Sequence, residues 1–182
     1  MSAPAAPIVD PIARAIIALR SRLATRLKSP WALPILPMPA SVTEFKRVAS
    51  MTPFAAVGIS ELDCSGGRVL GGPLSIHVVI GVRNPSNHDN RFLGDGAGPG
   101  LYPALVLTAA LINGHTVEGL GSYSVTKIGT AYAEGFTDDA IATGIVSVSI
   151  GLSFRDVIAD PTAPPDFAGL SPDPDGSFIT PR

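Results

Sequence analysis

The chain has 182 residues, of which 46% are hydrophobic and only 15% charged, and its net charge is −2. Soluble domains carry about a quarter charged residues, so this apolar surplus calls for burial, and no uninterrupted apolar run reaches the ~18 residues that a membrane span needs. Burial against other subunits is therefore the expected outlet, and so weak a net charge argues against nucleic acid as the main ligand.

The charge is unevenly placed. Residues 1–50 hold seven Lys/Arg against Asp10 and Glu44, whereas 155–182 hold five Asp against Arg155 and Arg182. Such polarity can orient subunits in a stack. Met1 to Val9 contains no basic residue, and the apolar stretch beyond it is broken by Arg14, Arg20 and Arg22, so no secretory signal is expected. Cys64 is the single cysteine and has no cation or base beside it in sequence, which suits a reducing cytosol and an inert thiol.

Residues 1–9 are rich in Ala and Pro and read as a flexible segment. Asp10 and Pro11 then have the form of an N-cap followed by proline at the first helical position. Ile12, Ile16, Leu19, Leu23 and Leu27 recur at helical steps, which predicts an amphipathic helix ended by Pro30. The prolines at 30, 34, 37 and 39 leave Trp31 to Leu36 extended, an edge strand at most. Ser41 and Glu44 have the spacing of a capping box, the start of a short helix.

Phe54 to Ile59 reads as a short buried strand, with a Gly/Ser turn at 65–67. The clearest strand is Leu74 to Val82, alternating Leu74, Ile76, Val78, Ile80 and Val82 against Ser75, His77, Val79 and Gly81. Residues 84–100 form a polar, glycine-rich connection of unusual length. A second helix is predicted over 101–113, with Leu101, Leu105, Leu111 and Ile112 on its buried side and Asn113 and Gly114 as its stop. Two strands, 122–130 and 140–154, then form a hairpin whose turn holds Glu134, Asp138 and Asp139. From Ile158 the chain is rich in Pro and Asp, a segment expected to order on a partner.

The expected fold is α+β: a mostly antiparallel sheet of about four strands with two main helices packed on one face, because strands meet without a crossover helix between each pair. The expected organisation is a flexible segment at 1–9, a domain at 10–155 and a C-terminal extension at 156–182.

Catalytic chemistry finds little to stand on. His77, His88 and His115 stand apart, with no paired ligand spacing for a metal. The glycines of 94–100 precede a helix but lack the strand-to-turn context of a dinucleotide site and the lysine of a phosphate loop, so a flexible linker is the better reading. Asp138 and Asp139 with Glu134 fit solubilising charges at a wet turn better than an acid/base pair. The basic residues of the first helix fit a solvated face, or a charged surface between rings, better than a nucleic-acid footprint. No catalytic, cofactor or metal residue is assigned, and the protein is expected not to be an enzyme.

One resemblance stands out. A strand that ends Ile80, Gly81, Val82, Arg83, Asn84, a helix opening Gly100, Leu101, Tyr102 and running to Leu111, and the string Val117, Glu118, Gly119, Leu120 follow an N-terminal amphipathic helix and a proline-rich segment. This order, over about residues 10–155, resembles the tail-terminator (tail-completion) proteins of Mu-like contractile phages and prophages. The resemblance implies a homo-oligomeric ring, commonly a hexamer, that caps the tail tube, anchors the last sheath layer and docks the neck connector. It also implies assembly in the host cytoplasm, a place in the virion, no cofactor, and no partner in a membrane. Specific nucleic-acid binding is not implied, although DNA can pass through the lumen of such a ring.

The residues expected to make contacts are Arg83, Asn84, His88, Asp89, Arg91 and Phe92 near 84–100, Glu134, Asp138 and Asp139 in the hairpin turn, and Phe167 and Phe178 in the extension. Arg83 is expected at an inter-subunit or lumen surface. Two other readings stay open: a neck, connector or baseplate ring subunit, and, from a different class, a small host ligand-binding domain or enzyme.

Overall fold

The computed structural model describes residues 10–27, 32–64, 70–84, 89–95, 98–131 and 141–154. Helix α1 (Pro11–Arg26) begins where the sequence places it: Asp10 Oδ1 accepts from the amides of Ile12 at 2.8 Å and Ala13 at 3.1 Å. Its buried stripe includes Leu19 and Leu23, with Ala15 between the partly buried Ile12 and Ile16. Strand β1 (Ile35–Pro37) follows, then helix α2 (Val42–Ser50), where Ser41 Oγ accepts from Glu44 N at 3.2 Å. The Glu44 carboxylate reaches back to Ala40 N at 2.8 Å, one residue before the cap, so the reciprocal box forms with a one-residue offset.

Strands β2 (Phe54–Leu62) and β3 (Gly71–Arg83) are longer than the sequence pattern suggests. Helices α3 (Asn90–Leu93) and α4 (Leu101–Ile112) come next. A two-stranded ribbon of β4 (Thr116–Val117) and β5 (Gly121–Ser122) leads into β6 (Ser124–Ala131) and β7 (Ile141–Ser153). The region expected to be one strand from 122 is thus divided: Ser122 belongs to the ribbon, and Tyr123 turns the chain into β6.

The main sheet has the order β1-β2-β3-β7-β6, with β1 parallel to β2 and every other pair antiparallel. This is the expected α+β architecture with a fifth strand, because the proline-rich segment does supply an edge. The apolar face of β3, with Leu74, Ile76, Val78, Ile80 and Val82, is fully buried together with Val146, Val148 and Ile150 of β7. Helices α1 and α4 cover that face. Burial of such side chains is worth about 1.5–3 kcal/mol each, which makes this layer the chief source of stability.

Glycine sets how closely the layers approach. Gly144 of β7 lies under α4, where a Cβ would stand 2.7 Å from Leu105 Cδ1. On the opposite face Phe54 lays its ring over Gly81, its cross-strand partner, and α2 packs Val48 and Ala49 against Phe54 and Ala56. A third helix therefore covers part of the second face, which the sequence pattern did not foresee.

Candidate assembly surface

Strand β3 ends in the exposed Arg83, and Asn84 just after it is only 2% exposed. The Asn84 amide donates to Asp95 Oδ1 at 3.0 Å and to the Asn90 carbonyl at 3.4 Å. Asn90 Nδ2 donates to the other Asp95 oxygen at 2.8 Å, and Gly98 N donates to Asp95 Oδ1 at 3.1 Å. One carboxylate thus gathers the end of β3, α3 and the approach to α4, and charge-assisted bonds of this kind are the stronger ones.

Gly94, at φ 84°, and Gly100 meet backbone to backbone, and a Cβ at Gly94 would stand 2.6 Å from Gly100 N. The described part of 84–100 is therefore a packed corner, which corrects the flexible-linker reading: Asp95 supplies internal bonds that glycine content alone does not reveal. Asn84 serves this corner from inside the subunit. Arg91 lies 5.7 Å from the centroid of the Phe92 ring, which stands 5.4 Å from that of Tyr102. Asp89 is the N-cap residue of α3 and its carbonyl accepts from Phe92 N and Leu93 N. His88, Glu134, Asp138, Asp139, Phe167 and Phe178 lie outside the described residues.

The larger candidate surface lies along α4 and β6. Leu101–Ile112 contains no charged residue, and its side chains are apolar apart from the Tyr102 hydroxyl and the buried Thr108. Its outward positions are Tyr102, Val106 and Ala110, one turn apart, with Val106 62% exposed and Leu93 of α3 63% exposed. A helix that is apolar all round is normally buried on every side. Beside it β6 is, among the described residues, an edge strand of eight residues with Lys127 its one charge, and Ile128 stands 45% exposed. The uncharged stretch was readable in the sequence, but the outward direction of Val106 needed the fold.

At the other end of α4 two arginines of α1 make main-chain bonds. Arg22 Nε donates to the Leu111 carbonyl at 3.2 Å and Arg14 to the Glu118 carbonyl at 2.8 Å. The first places a cation at the negative end of the α4 dipole. Tyr123, 1% exposed, donates its hydroxyl to the Ala15 carbonyl at 2.5 Å, and burial pushes its phenol up to about 12 against a smaller opposing pull from the Leu19 backbone. His115 stacks on that ring at 6.2 Å, and desolvation, then the charges of Arg22 and Arg26, hold its imidazole below its ordinary pKa. Sequence reasoning singled out none of these roles.

Among the described residues no cluster of His, Cys, Asp or Glu is arranged to hold a metal, and no helix is long and apolar enough to cross a membrane. No protein-family model and no curated protein sequence matches the chain. Among solved structures, a chain from the virion of a native gene transfer agent particle is similar, with a TM-score of 0.50 and 9% identity over 77% of this chain and 93% of that chain. At that identity the likeness is one of fold: nearly the whole of a virion-particle chain shares the α+β arrangement described above.

Proposed function

We propose that this chain is a non-enzymatic structural subunit of a phage-like particle, and within it a tail terminator that closes into a ring at the end of the tail tube. The observation that carries the reading is the fold shared with 93% of a gene transfer agent virion chain. The order of strings from Ile80 to Leu120, which resembles tail-completion proteins, supports the finer role. The α4–β6 flank supports association, since an uncharged helix face beside an edge strand is surface that a solitary domain does not keep.

A ring requires this flank to meet a different surface on the next copy, because a head-to-tail contact pairs two unlike patches. The ring is commonly hexameric in proteins of this kind, and its faces would meet tube and sheath on one side and the neck connector on the other.

The test is removal of the gene from a particle that encodes it, followed by negative-stain imaging. Tails of uncontrolled length support the terminator role. Normal tails that fail to join heads overturn it in favour of a connector subunit. A protein that stays monomeric at high concentration and takes a small molecule into a cleft defeats the structural reading altogether, in favour of a host binding domain or enzyme.

A further inference from the structure

Arg14, Arg22 and Arg26 stand at positions 0, 8 and 12 along α1, within a sector of about 120° of the helix circumference. They form a cationic seam where α1 meets the C-terminal end of α4 and the β4–β5 ribbon, and His115 lies in the same seam. Two of these arginines spend a single bond each on a main-chain carbonyl, and a guanidinium has five donors. Among the described residues no carboxylate pairs with Arg14, Arg22 or Arg26; the Glu118 contact is through its backbone oxygen.

Five of the fifteen acidic residues of the chain lie in its C-terminal segment. Asp156, Asp160, Asp166, Asp173 and Asp175 fall in the 28 residues after Phe154, with only Arg155 and Arg182 against them. Such a length spans up to about 90 Å when extended, which is ample to reach α1 of its own or an adjacent copy. The seam offers planar donor forks suited to carboxylates. Duplex DNA is the weaker candidate, since three arginines in a chain of net charge −2 give a short footprint.

We propose that the Arg14–Arg22–Arg26 seam receives the acidic C-terminal segment, residues 155–182, as its carboxylate partner. The proposal stands independently of the ring, and it gives the uneven charge of the chain a physical purpose.

Zero-length carbodiimide coupling of the full-length R26K variant tests it, because the substitution keeps the charge and supplies an amine that can form an amide with a neighbouring carboxylate. The expected result is peptides that join position 26 to Asp156–Asp175, several-fold enriched over those from the native Lys46 and Lys127. They should diminish at about 0.5 M NaCl, where the Debye length falls to about 4 Å. Unchanged circular dichroism and melting confirm that R26K is folded. Coupling confined to Glu118, or equal coupling to Lys46 and Lys127, overturns the proposal. So does duplex DNA binding that R22E/R26E abolishes and that Asp→Asn changes in the segment leave unaltered, in a protein whose segment never couples to position 26.

Discussion

The two flanks of the molecule handle exposure in opposite ways. On one flank β1 is three residues long and set among Pro34, Pro37 and Pro39, while α1 beside it carries four arginines. Short, proline-marked edges and charged helices are the devices that keep sheets from sticking. On the other flank β6 is eight residues with no proline, and α4 has no charge at all. Both helices cover the same core, so the contrast arises from what their outer faces are built to meet. On the reading proposed above, the charged flank meets solvent and carboxylates and the apolar flank meets a neighbouring subunit.

The strongest way to break this comparison is to place charge on each flank. V106K and I128K introduce lysines at positions already 62% and 45% exposed, so each should cost the fold no more than about 0.5 kcal/mol. A desolvated cation at an interface nonetheless costs several kcal/mol. The double variant should therefore weaken self-association by at least about 100-fold, read by sedimentation or native mass. I17K places the same charge on α1 at a residue 64% exposed and should leave association unchanged. Equal dissociation by I17K would erase the distinction between flanks.

Much of the fold was legible in the sequence because the signals are local and redundant. The period of Ile12 to Leu27, the alternation of Leu74 to Val82 and that of Val146 to Leu152 each place one face in the core without reference to distant residues. The site was less legible for the opposite reason. Asp95 organises a corner through bonds to Asn84, Asn90 and Gly98, and Tyr123 reaches 108 residues back to Ala15. Nothing in their local strings announces these partners. Likewise an exposed Val106 and a buried Leu105 read alike until the sheet fixes which way α4 faces.

Tyr123 is the hydroxyl that ties α1 to the start of β6, and so joins the two flanks. Y123F keeps the ring but removes the donor, leaving the buried Ala15 carbonyl without that bond; the expected loss is about 1–2 kcal/mol in thermal or denaturant unfolding. The same group gives an alkaline signature. Its folded pKa is raised to about 12 from an ordinary value near 10, so the unfolded chain releases the proton first. Its contribution is complete below pH 10 and is lost as pH rises towards 12. Y123F should flatten the fall in melting temperature over that range, and an unchanged slope would separate the hydroxyl from the joint.

The smallest effect belongs to His115, which lies on the same joint and reads its charge balance. Desolvation and then Arg22 and Arg26 lower its folded pKa, so the unfolded chain binds a proton first as pH falls. Stability is therefore lost as pH drops through 6.5, the ordinary imidazole value. H115Q should reduce that acid loss, measured as the difference in melting temperature between pH 7.5 and pH 5. R26Q should act in the same direction through His115, because it removes one of the two repelling charges and leaves the burial. If R26Q leaves that acid loss unchanged, the repulsion account of His115 fails, and burial, the largest cause, holds the imidazole down by itself.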